Sequence, residues 1–211
     1  MRAFARTISA LLIAFSLGLI PLYGAAAAKD EAEAPKDPLT IFALGDSLMA
    51  GYELPPGVSV PALLEEKLRE DGYCVNVINA GVSGDISESG RNRLGWTLAG
   101  LEDQPDLAIV ELGANDALRG IDPATTKANL AAIIEDLQSR GIPVLLAGMM
   151  APPNMGPSYA ERFNALFPAL AEEYGTALYP FFLDGVATSP ELKLDDGLHP
   201  NPEGVKVIVT R

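Results

Sequence analysis

The stretch LTIFALGDSLMAGY, residues 39–52, passes from an apolar segment directly into Gly-Asp-Ser. Apolar and β-branched residues favour a strand, Gly allows a tight turn, and Asp and Ser commonly cap helices. The stretch therefore predicts a buried strand followed closely by a helix. Its plainest interpretation is an ordinary strand-to-helix connection. A sharper interpretation is that the turn presents Ser47 as a nucleophile at the end of the strand.

Four more apolar segments follow, each bounded by turn residues: VNVINA, LAIVEL, PVLLAGM and ALYPFFL. Segments with helical spacing of apolar residues lie between them. This alternation predicts an α/β fold, a three-layer α/β/α sandwich around a five-stranded parallel sheet with the flavodoxin-like strand order 2-1-3-4-5. Because ligands bind outside the carboxyl ends of the strands in such sheets, functional residues should follow directly after strands.

Helix boundaries are marked by cap residues. Asp122 and Pro123 predict a cap and a first helical residue, and Ser158 with Glu161 has the spacing of a capping box for a later helix. Trp96 is the only tryptophan in the chain, and we expect its large apolar side chain to lie in the core.

The N-terminal segment has the features of a secretory signal peptide. In residues 1–28, Arg2 and Arg6 precede an apolar stretch that ends in an Ala-x-Ala motif, and we expect cleavage there. An uncleaved membrane anchor is the alternative, since the apolar stretch is close to the length of a bilayer span. Residues 29–38 predict a flexible linker and residues 39–211 a single globular domain, periplasmic or secreted, with no stable membrane insertion after cleavage.

Charge and residue counts exclude several classes of function. The net charge is −13, and loss of Arg2 and Arg6 with the signal would make it −15, which repels phosphate backbones and excludes a nucleic-acid partner. Cys74 is the only cysteine and His199 the only histidine, so an internal disulfide, a cysteine-based zinc site and a histidine-cluster metal site are excluded. The oligomeric state stays open, with a monomer favoured.

Residues that could form a catalytic site follow four of the predicted strands. Ser47 follows the first strand, Gly81 the second, Asn115 the third, and Asp196 and His199 the fifth. A serine hydroxyl needs a base to act as a nucleophile, and His199 is the only imidazole available. Asp196 lies three residues before it, a spacing that allows a carboxylate to orient the ring. The backbone N–H groups of Ser47 and Gly81 and the Asn115 amide could stabilise an oxyanion.

Each of these residues also has an ordinary structural interpretation. Asn115 has the position of a helix cap, and a lone histidine is more often structural or merely exposed. Asp195 could replace Asp196 only with a different loop geometry. Ser83 is an alternative nucleophile, but Asp85 stands where the second glycine of a G-x-S-x-G elbow is required.

The motifs together resemble the SGNH, or GDSL, hydrolase superfamily. GDSL, the glycine of NAGVSGD, GAND and DGLHPN correspond in order to its four signature blocks. Within that superfamily, NAGVSGD, ELGANDALRG and GIPVLLAGM resemble the secreted bacterial arylesterases related to acyl-CoA thioesterase and lysophospholipase. The resemblance implies that Ser47 is the nucleophile, His199 the base and Asp196 its orienting acid. It also implies an oxyanion hole formed by the Ser47 N–H, the Gly81 N–H and the Asn115 amide.

The resemblance further implies a serine esterase that needs no metal or organic cofactor. Its expected substrates are small acyl esters, first aryl esters, with acyl thioesters and lysophospholipids as further candidates. A carbohydrate acetylesterase on the same fold is an alternative, for which Tyr52, Tyr159 and Phe163 could supply sugar-stacking rings. A catalytically silent ligand-binding module is the alternative from another class.

Overall fold

The computed structural model describes residues 38–211. The predicted signal peptide and all of the predicted linker except Pro38 lie outside the described residues. Within the described range, no helix combines the length and hydrophobicity that a membrane span requires. The elements along the chain are β1 Leu39–Gly45, α1 Ser47–Ala50, α2 Val60–Glu70, β2 Val75–Gly81, α3 Ser87–Ala99, β3 Leu107–Glu111, α4 Ala114–Leu118, α5 Pro123–Ser139, β4 Val144–Ala147, α6 Pro157–Tyr174, β5 Ala177–Tyr179 and α7 Pro202–Thr210.

The five strands form one parallel sheet in the order β2-β1-β3-β4-β5, which confirms the predicted topology. The register aligns Gly45, at the end of β1, with Gly81 of β2 and with Glu111 of β3. These three strands therefore end at the same level, so the segments that follow them meet at one edge of the sheet.

The core is built from strands that are apolar on both faces, as expected for a parallel sheet covered by helices. Phe42 and Leu44 on β1 and Val110 on β3 are fully buried. Helices α3, α5 and α6 pack side by side, whereas α2 packs on β2 and α7 packs on α2. The apolar stripe of α5 is fully buried, as its spacing predicts: Leu130, Ile133, Ile134 and Leu137.

One of the two predicted cap signals is confirmed and the other is wrong. Asp122 caps α5 by accepting a hydrogen bond from the Ala124 N–H, and Pro123 is the first helical residue. The Ser158–Glu161 capping box does not form, because α6 already begins at Pro157. Proline is well suited to a first helical position, since its missing N–H would have no partner inside the helix.

The expectation that Trp96 lies in the core is also wrong, since its side chain is 70% exposed. Three of the buried residues of α3 are Gly90, Leu94 and Leu98, which recur every four residues and so share one face of the helix. Trp96 lies between two of them in sequence and therefore points away from that face. Helical spacing outweighs the general preference of tryptophan for burial.

Candidate active site

Ser47 lies in a tight turn at the end of β1. It is the first residue of the four-residue helix α1, and the preceding Asp46 caps that helix by accepting from the Leu48 N–H at 3.0 Å. A Cβ atom on Gly45 would lie 2.4 Å from Cγ of Met49, so the turn requires glycine there. The Ser47 N–H has no acceptor among the described residues. The turn thus presents both the hydroxyl and the backbone donor of Ser47.

The structure brings Ser47, His199 and Asp196 into one line of hydrogen bonds. Nε2 of His199 lies 2.8 Å from Oγ of Ser47, and Nδ1 lies 2.5 Å from Oδ2 of Asp196. The other oxygen of Asp196 accepts from the backbone N–H groups of Leu198 and His199 at 2.8 and 3.0 Å. The same short loop therefore fixes both the carboxylate and the imidazole.

The charge of Asp196 decides which ring nitrogen carries the proton. Burial raises the pKa of this carboxyl, but hydrogen bonds from the His199 ring and from the Leu198 and His199 amides outweigh burial and leave the pKa at about 2. The ionised carboxylate can only accept, so the hydrogen lies on Nδ1, and Nε2 accepts from the Ser47 hydroxyl. Asp195 makes no hydrogen bond to the ring among the described residues.

Asn115, in the first turn of α4, lies beside the Ser47 turn. Its Nδ2 donates to Oδ2 of Asp46 at 3.1 Å and to the carbonyl of Asp85 at 3.0 Å. The amide therefore links the end of β1 to the loop after β2. Both amide hydrogens are already paired, so a contact with an oxyanion would replace one of these hydrogen bonds.

The adjacent Asp116 holds Asn115 in place. Its fully buried carboxylate accepts from the N–H and the hydroxyl of Ser87, at 2.8 and 2.5 Å, and from the Thr126 hydroxyl at 3.0 Å. Ser87 begins α3 and Thr126 lies on α5, so a single side chain connects three helices. Buried polar networks of this kind are stabilising only when every member is paired, as it is here.

The expectation that Gly81 supplies an oxyanion donor needs correction, because its backbone N–H donates to Oδ1 of Asn79 at 2.9 Å. Gly81 has a different local reason to be glycine. A Cβ atom there would lie 2.3 Å from the backbone nitrogen of Ala50, so the close contact between β2 and α1 depends on its absence.

Gly84, three residues later, has a backbone N–H with no acceptor among the described residues. Its φ of +86° favours glycine, and its carbonyl accepts from Nη2 of Arg119 at 2.8 Å. The following residue, Asp85, offers the carbonyl that Asn115 contacts. Gly84 is the second glycine of NAGVSGD, and this motif was the signal in the sequence that could have identified it as a donor.

Ser83, the alternative nucleophile, is exposed and makes no hydrogen bond to His199 among the described residues.

A buried pair of carboxyl groups lies directly beneath the Ser47 turn. Burial raises the pKa of Asp46 to about 6, although the hydrogen bonds from Leu48 and Asn115 act to lower it. Burial and the nearby Asp46 charge raise the pKa of Glu111 well above its ordinary value. Both causes favour the protonated form of Glu111. Its position at the end of the apolar segment LAIVEL was the only hint in the sequence.

A cavity of about 140 Å³ adjoins Ser47, Asn115 and His199. Within the described range, no group of His, Cys, Asp and Glu side chains could hold a metal ion. The cavity wall is mainly apolar, so the site can bind an apolar group next to the Ser47 hydroxyl. The apolar part of the wall includes Leu118, Met149, Met150, Pro152, Leu183 and Leu198.

Tyr52 is the remaining neighbour of the imidazole. Its ring centroid lies 4.5 Å from that of His199, with 37° between the ring planes. Tyr52 is 39% exposed, so its ring covers one face of the imidazole from the solvent side. The sequence placed Tyr52 close to Ser47 but did not indicate this contact.

Known proteins are similar to this one over most of the chain. Residues 43–207 match the family described as GDSL-like lipase/acylhydrolase. The chain is 44% identical over 163 residues to an arylesterase of Vibrio mimicus, and the aligned residues make up 77% of this chain and 80% of that protein. It is 41% identical over 162 residues to thioesterase 1/protease 1/lysophospholipase L1 of Escherichia coli, with 77% of this chain and 76% of that protein covered.

The same likeness holds for a solved structure. The crystal structure of AlinE4, an SGNH-hydrolase family esterase, matches with a TM-score of 0.75 at 49% identity and covers 82% of this chain and 92% of AlinE4. The family match begins within β1 and ends within α7. On these grounds, the chain belongs to the GDSL-like lipase/acylhydrolase family.

Proposed function

We propose that this protein is a serine esterase that hydrolyses carboxylic esters through an acyl-enzyme on Ser47. The observation that carries the proposal is the 2.8 Å contact between Oγ of Ser47 and Nε2 of His199, with Asp196 on the opposite ring nitrogen. Nucleophile, base and orienting acid in this order are the groups that acyl transfer to serine requires.

In the first half of the reaction, Oγ of Ser47 forms a bond to the ester carbonyl carbon while His199 takes the hydroxyl proton. The tetrahedral intermediate then collapses, the bond to the leaving oxygen breaks, and His199 donates the proton to that oxygen. In the second half, water loses a proton to His199 and attacks the acyl carbon. The bond from that carbon to Oγ of Ser47 then breaks, and His199 returns the proton to Oγ, which releases the acid and restores Ser47. The ionised Asp196 stabilises the imidazolium in both halves.

Three donors are proposed to stabilise the oxyanion: the N–H groups of Ser47 and Gly84 and the side-chain amide of Asn115. Gly84 replaces Gly81 in this role, because the Gly81 N–H is already paired with the side chain of Asn79 in the same strand. The Ser47 and Gly84 amides have no other acceptor among the described residues, which makes them available. One such donor typically contributes about 10²- to 10³-fold in turnover.

The substrate is proposed to be a small ester with an apolar acyl or aryl group. The apolar wall beside Ser47 and the volume of about 140 Å³ support this choice. The names of the relatives support aryl esters first, with acyl thioesters and lysophospholipids as further candidates. The signal-peptide features of residues 1–28 support a periplasmic or secreted location, and a monomer remains the favoured oligomeric state.

The two alternatives have less support. A carbohydrate acetylesterase would need rings exposed for sugar stacking, but Phe163 is fully buried and the Tyr159 hydroxyl donates to the Ile121 carbonyl. Of the three rings, only that of Tyr52 contacts His199. A silent binding module would not need Ser47 and His199 at hydrogen-bonding distance.

Hydrolysis of a series of p-nitrophenyl acyl esters tests the proposal. Wild type should turn over, Ser47→Ala should lose nearly all turnover, and Ser83→Ala is the matched control because Ser83 is exposed and nearby. Loss of activity in Ser83→Ala with retention in Ser47→Ala would overturn the assignment. Activity confined to acetyl esters would favour the acetylesterase, and no wild-type turnover on any ester would favour the silent module.

A further inference from the structure

Arg93 makes a set of contacts that the proposed reaction does not use directly. This α3 residue has a side chain only 11% exposed, and its Nε lies 2.6 Å from Oδ2 of Asp85. Its Nη2 also donates to the carbonyl of Gly45 at 3.0 Å and to the carbonyl of Ala80 at 2.7 Å. Among the ion pairs of the described residues, Arg93–Asp85 is the one with both side chains most buried.

These contacts join three separate segments of the chain. Gly45 ends β1, Ala80 lies at the end of β2, and Asp85 belongs to the loop at residues 82–86. A buried guanidinium is costly unless its donors are paired, and here three acceptors pair it. Its planar fork of donors can reach several acceptors at once, which the single ammonium of lysine does less well.

All three proposed oxyanion donors are attached to the segments that Arg93 connects. Ser47 lies two residues after Gly45, Gly84 directly precedes Asp85, and the Asp85 carbonyl accepts from the Asn115 amide. Donors of this kind stabilise the transition state only when they are held in place before the reaction. A displacement of about 1 Å is enough to lower a rate by about 10²-fold.

We infer that Arg93 is a positioning residue for ester hydrolysis, which holds the loop at residues 82–86 against the end of β1 and so fixes the spacing of the Ser47, Gly84 and Asn115 donors. The inference rests on the proposed function of the Ser47 site. Arg93 touches neither substrate nor reacting atoms in this role. Its loss should therefore lower kcat and leave KM nearly unchanged.

The test compares Arg93→Gln with wild type on one p-nitrophenyl ester, measuring kcat, KM and melting temperature. Leu98→Ala is the matched control, because Leu98 is a buried residue of the same helix and none of the described polar contacts to these segments involves its side chain. We expect Arg93→Gln to lose about 10- to 100-fold in kcat. At temperatures where both variants are folded, Leu98→Ala should lose much less, even with a similar fall in melting temperature.

Arg93→Lys should recover part of the lost kcat, because an ammonium keeps the charge but spans fewer acceptors. The double variant Arg93→Gln/Asp85→Asn should lose no more than Arg93→Gln alone, since both changes break the same link. If Arg93→Gln does not fold, Arg93→Lys and Asp85→Asn carry the test, each with an expected fall in kcat at nearly constant KM.

Two results would overturn the inference. One is an unchanged kcat in the folded Arg93 variants, and the other is equal kcat losses in Arg93→Gln and Leu98→Ala at equal loss of melting temperature. Ser47→Ala, measured in parallel, separates this failure from that of the proposed function. An active Ser47→Ala would refute the proposed function, whereas an inactive Ser47→Ala beside fully active Arg93 variants would refute only the positioning role.

Discussion

Two regions of the site are held in place in different ways. The loop that carries Asp196 and His199 is fixed by hydrogen bonds between residues two or three apart, and these two side chains are 34% and 19% exposed. The region around Asn115, Asp85 and Arg93 is more buried. Its hydrogen bonds join residues that are 8 to 69 positions apart in the chain, and three of the five span 30 positions or more.

This difference indicates how activity and stability are related in each region. A loop held by its own local hydrogen bonds can lose a reactive side chain while the fold stays intact. A buried network that connects several strands and helices supports both the donors and the core. Substitutions in the loop should therefore affect turnover alone, whereas substitutions in the buried region should affect turnover and stability together.

His199→Ala should produce the largest change in turnover and so tests the loop side of the comparison. We expect kcat to fall by about 10⁴-fold or more, because the proposed base is lost. The melting temperature should stay close to that of wild type, since the ring is partly exposed and touches only the site. Steady-state kinetics and thermal unfolding on the same samples provide the measurement.

Asp195→Asn is the control for that prediction, because Asp195 adjoins the orienting acid but makes no contact with the ring among the described residues. It should keep nearly full activity. Full activity in His199→Ala would contradict His199 as the base. Loss of activity in Asp195→Asn would contradict Asp196 as the orienting acid.

Asn115→Ala tests the buried side and should have the second largest effect. We expect kcat to fall by about 10²- to 10³-fold with little change in KM, because the lost amide acts on charge that appears in the transition state. Unlike His199→Ala, it should also lower the melting temperature, since the Asp46 and Asp85 acceptors lose their shared donor. Asn76→Ala is the control, at an exposed asparagine near the start of β2. A raised KM at constant kcat would instead assign Asn115 to substrate binding.

Glu111→Gln tests the buried side of the site through its effect on the stability of the fold. The fold raises the pKa of this carboxyl, so the folded protein binds more protons than the unfolded chain above the ordinary value of 4.5. Wild-type stability should therefore fall as the pH rises through that window, and a neutral glutamine removes this contribution. Relative to wild type, the melting temperature of Glu111→Gln should rise as the pH increases above 4.5.

Glu161→Gln, at an exposed position on α6, is the control and should show no such trend. A difference between Glu111→Gln and wild type that stays constant with pH would mean that the fold does not raise the pKa of Glu111.

Tyr52→Phe should have the smallest effect. The aromatic ring that contacts His199 is retained, and the tyrosine hydroxyl makes no hydrogen bond to the Ser47, His199 or Asp196 side chains. We expect kcat and KM to stay within about twofold of wild type, since the ring contact with His199 and the backbone hydrogen bond from the Tyr52 N–H to the Ser47 carbonyl are both kept. Tyr52→Ala, which removes the ring, should have the larger effect of the two. A severe loss in Tyr52→Phe would give the hydroxyl a role that its contacts do not indicate.

The same contrast explains what could be predicted from the sequence. The strand order followed from apolar segments and their connections, and the Asp196–His199 contact followed from a spacing of three residues within one loop. Both features depend on residues close in sequence. The Asp122 cap was predictable for the same reason.

Features that depend on distant contacts were missed or misplaced. The NAGVSGD motif contains two glycines, and only the folded backbone shows that the Gly81 N–H is paired and the Gly84 N–H is not. The acceptors of Arg93 come from segments up to 48 positions away. The buried state of Glu111 likewise depends on β1 and the Ser47 turn, and the exposure of Trp96 depends on which face of α3 meets α5.

The central claim, that Ser47 is the nucleophile, is tested most directly by covalent trapping with a p-nitrophenyl alkylphosphonate. Attack by Oγ of Ser47 forms a phosphorus–oxygen bond and releases p-nitrophenolate, which leaves a stable adduct. We predict one adduct per chain, located by mass spectrometry on the peptide that contains Ser47, in wild type and Ser83→Ala but not in Ser47→Ala. An adduct on another residue, or one that persists in Ser47→Ala, would contradict the account.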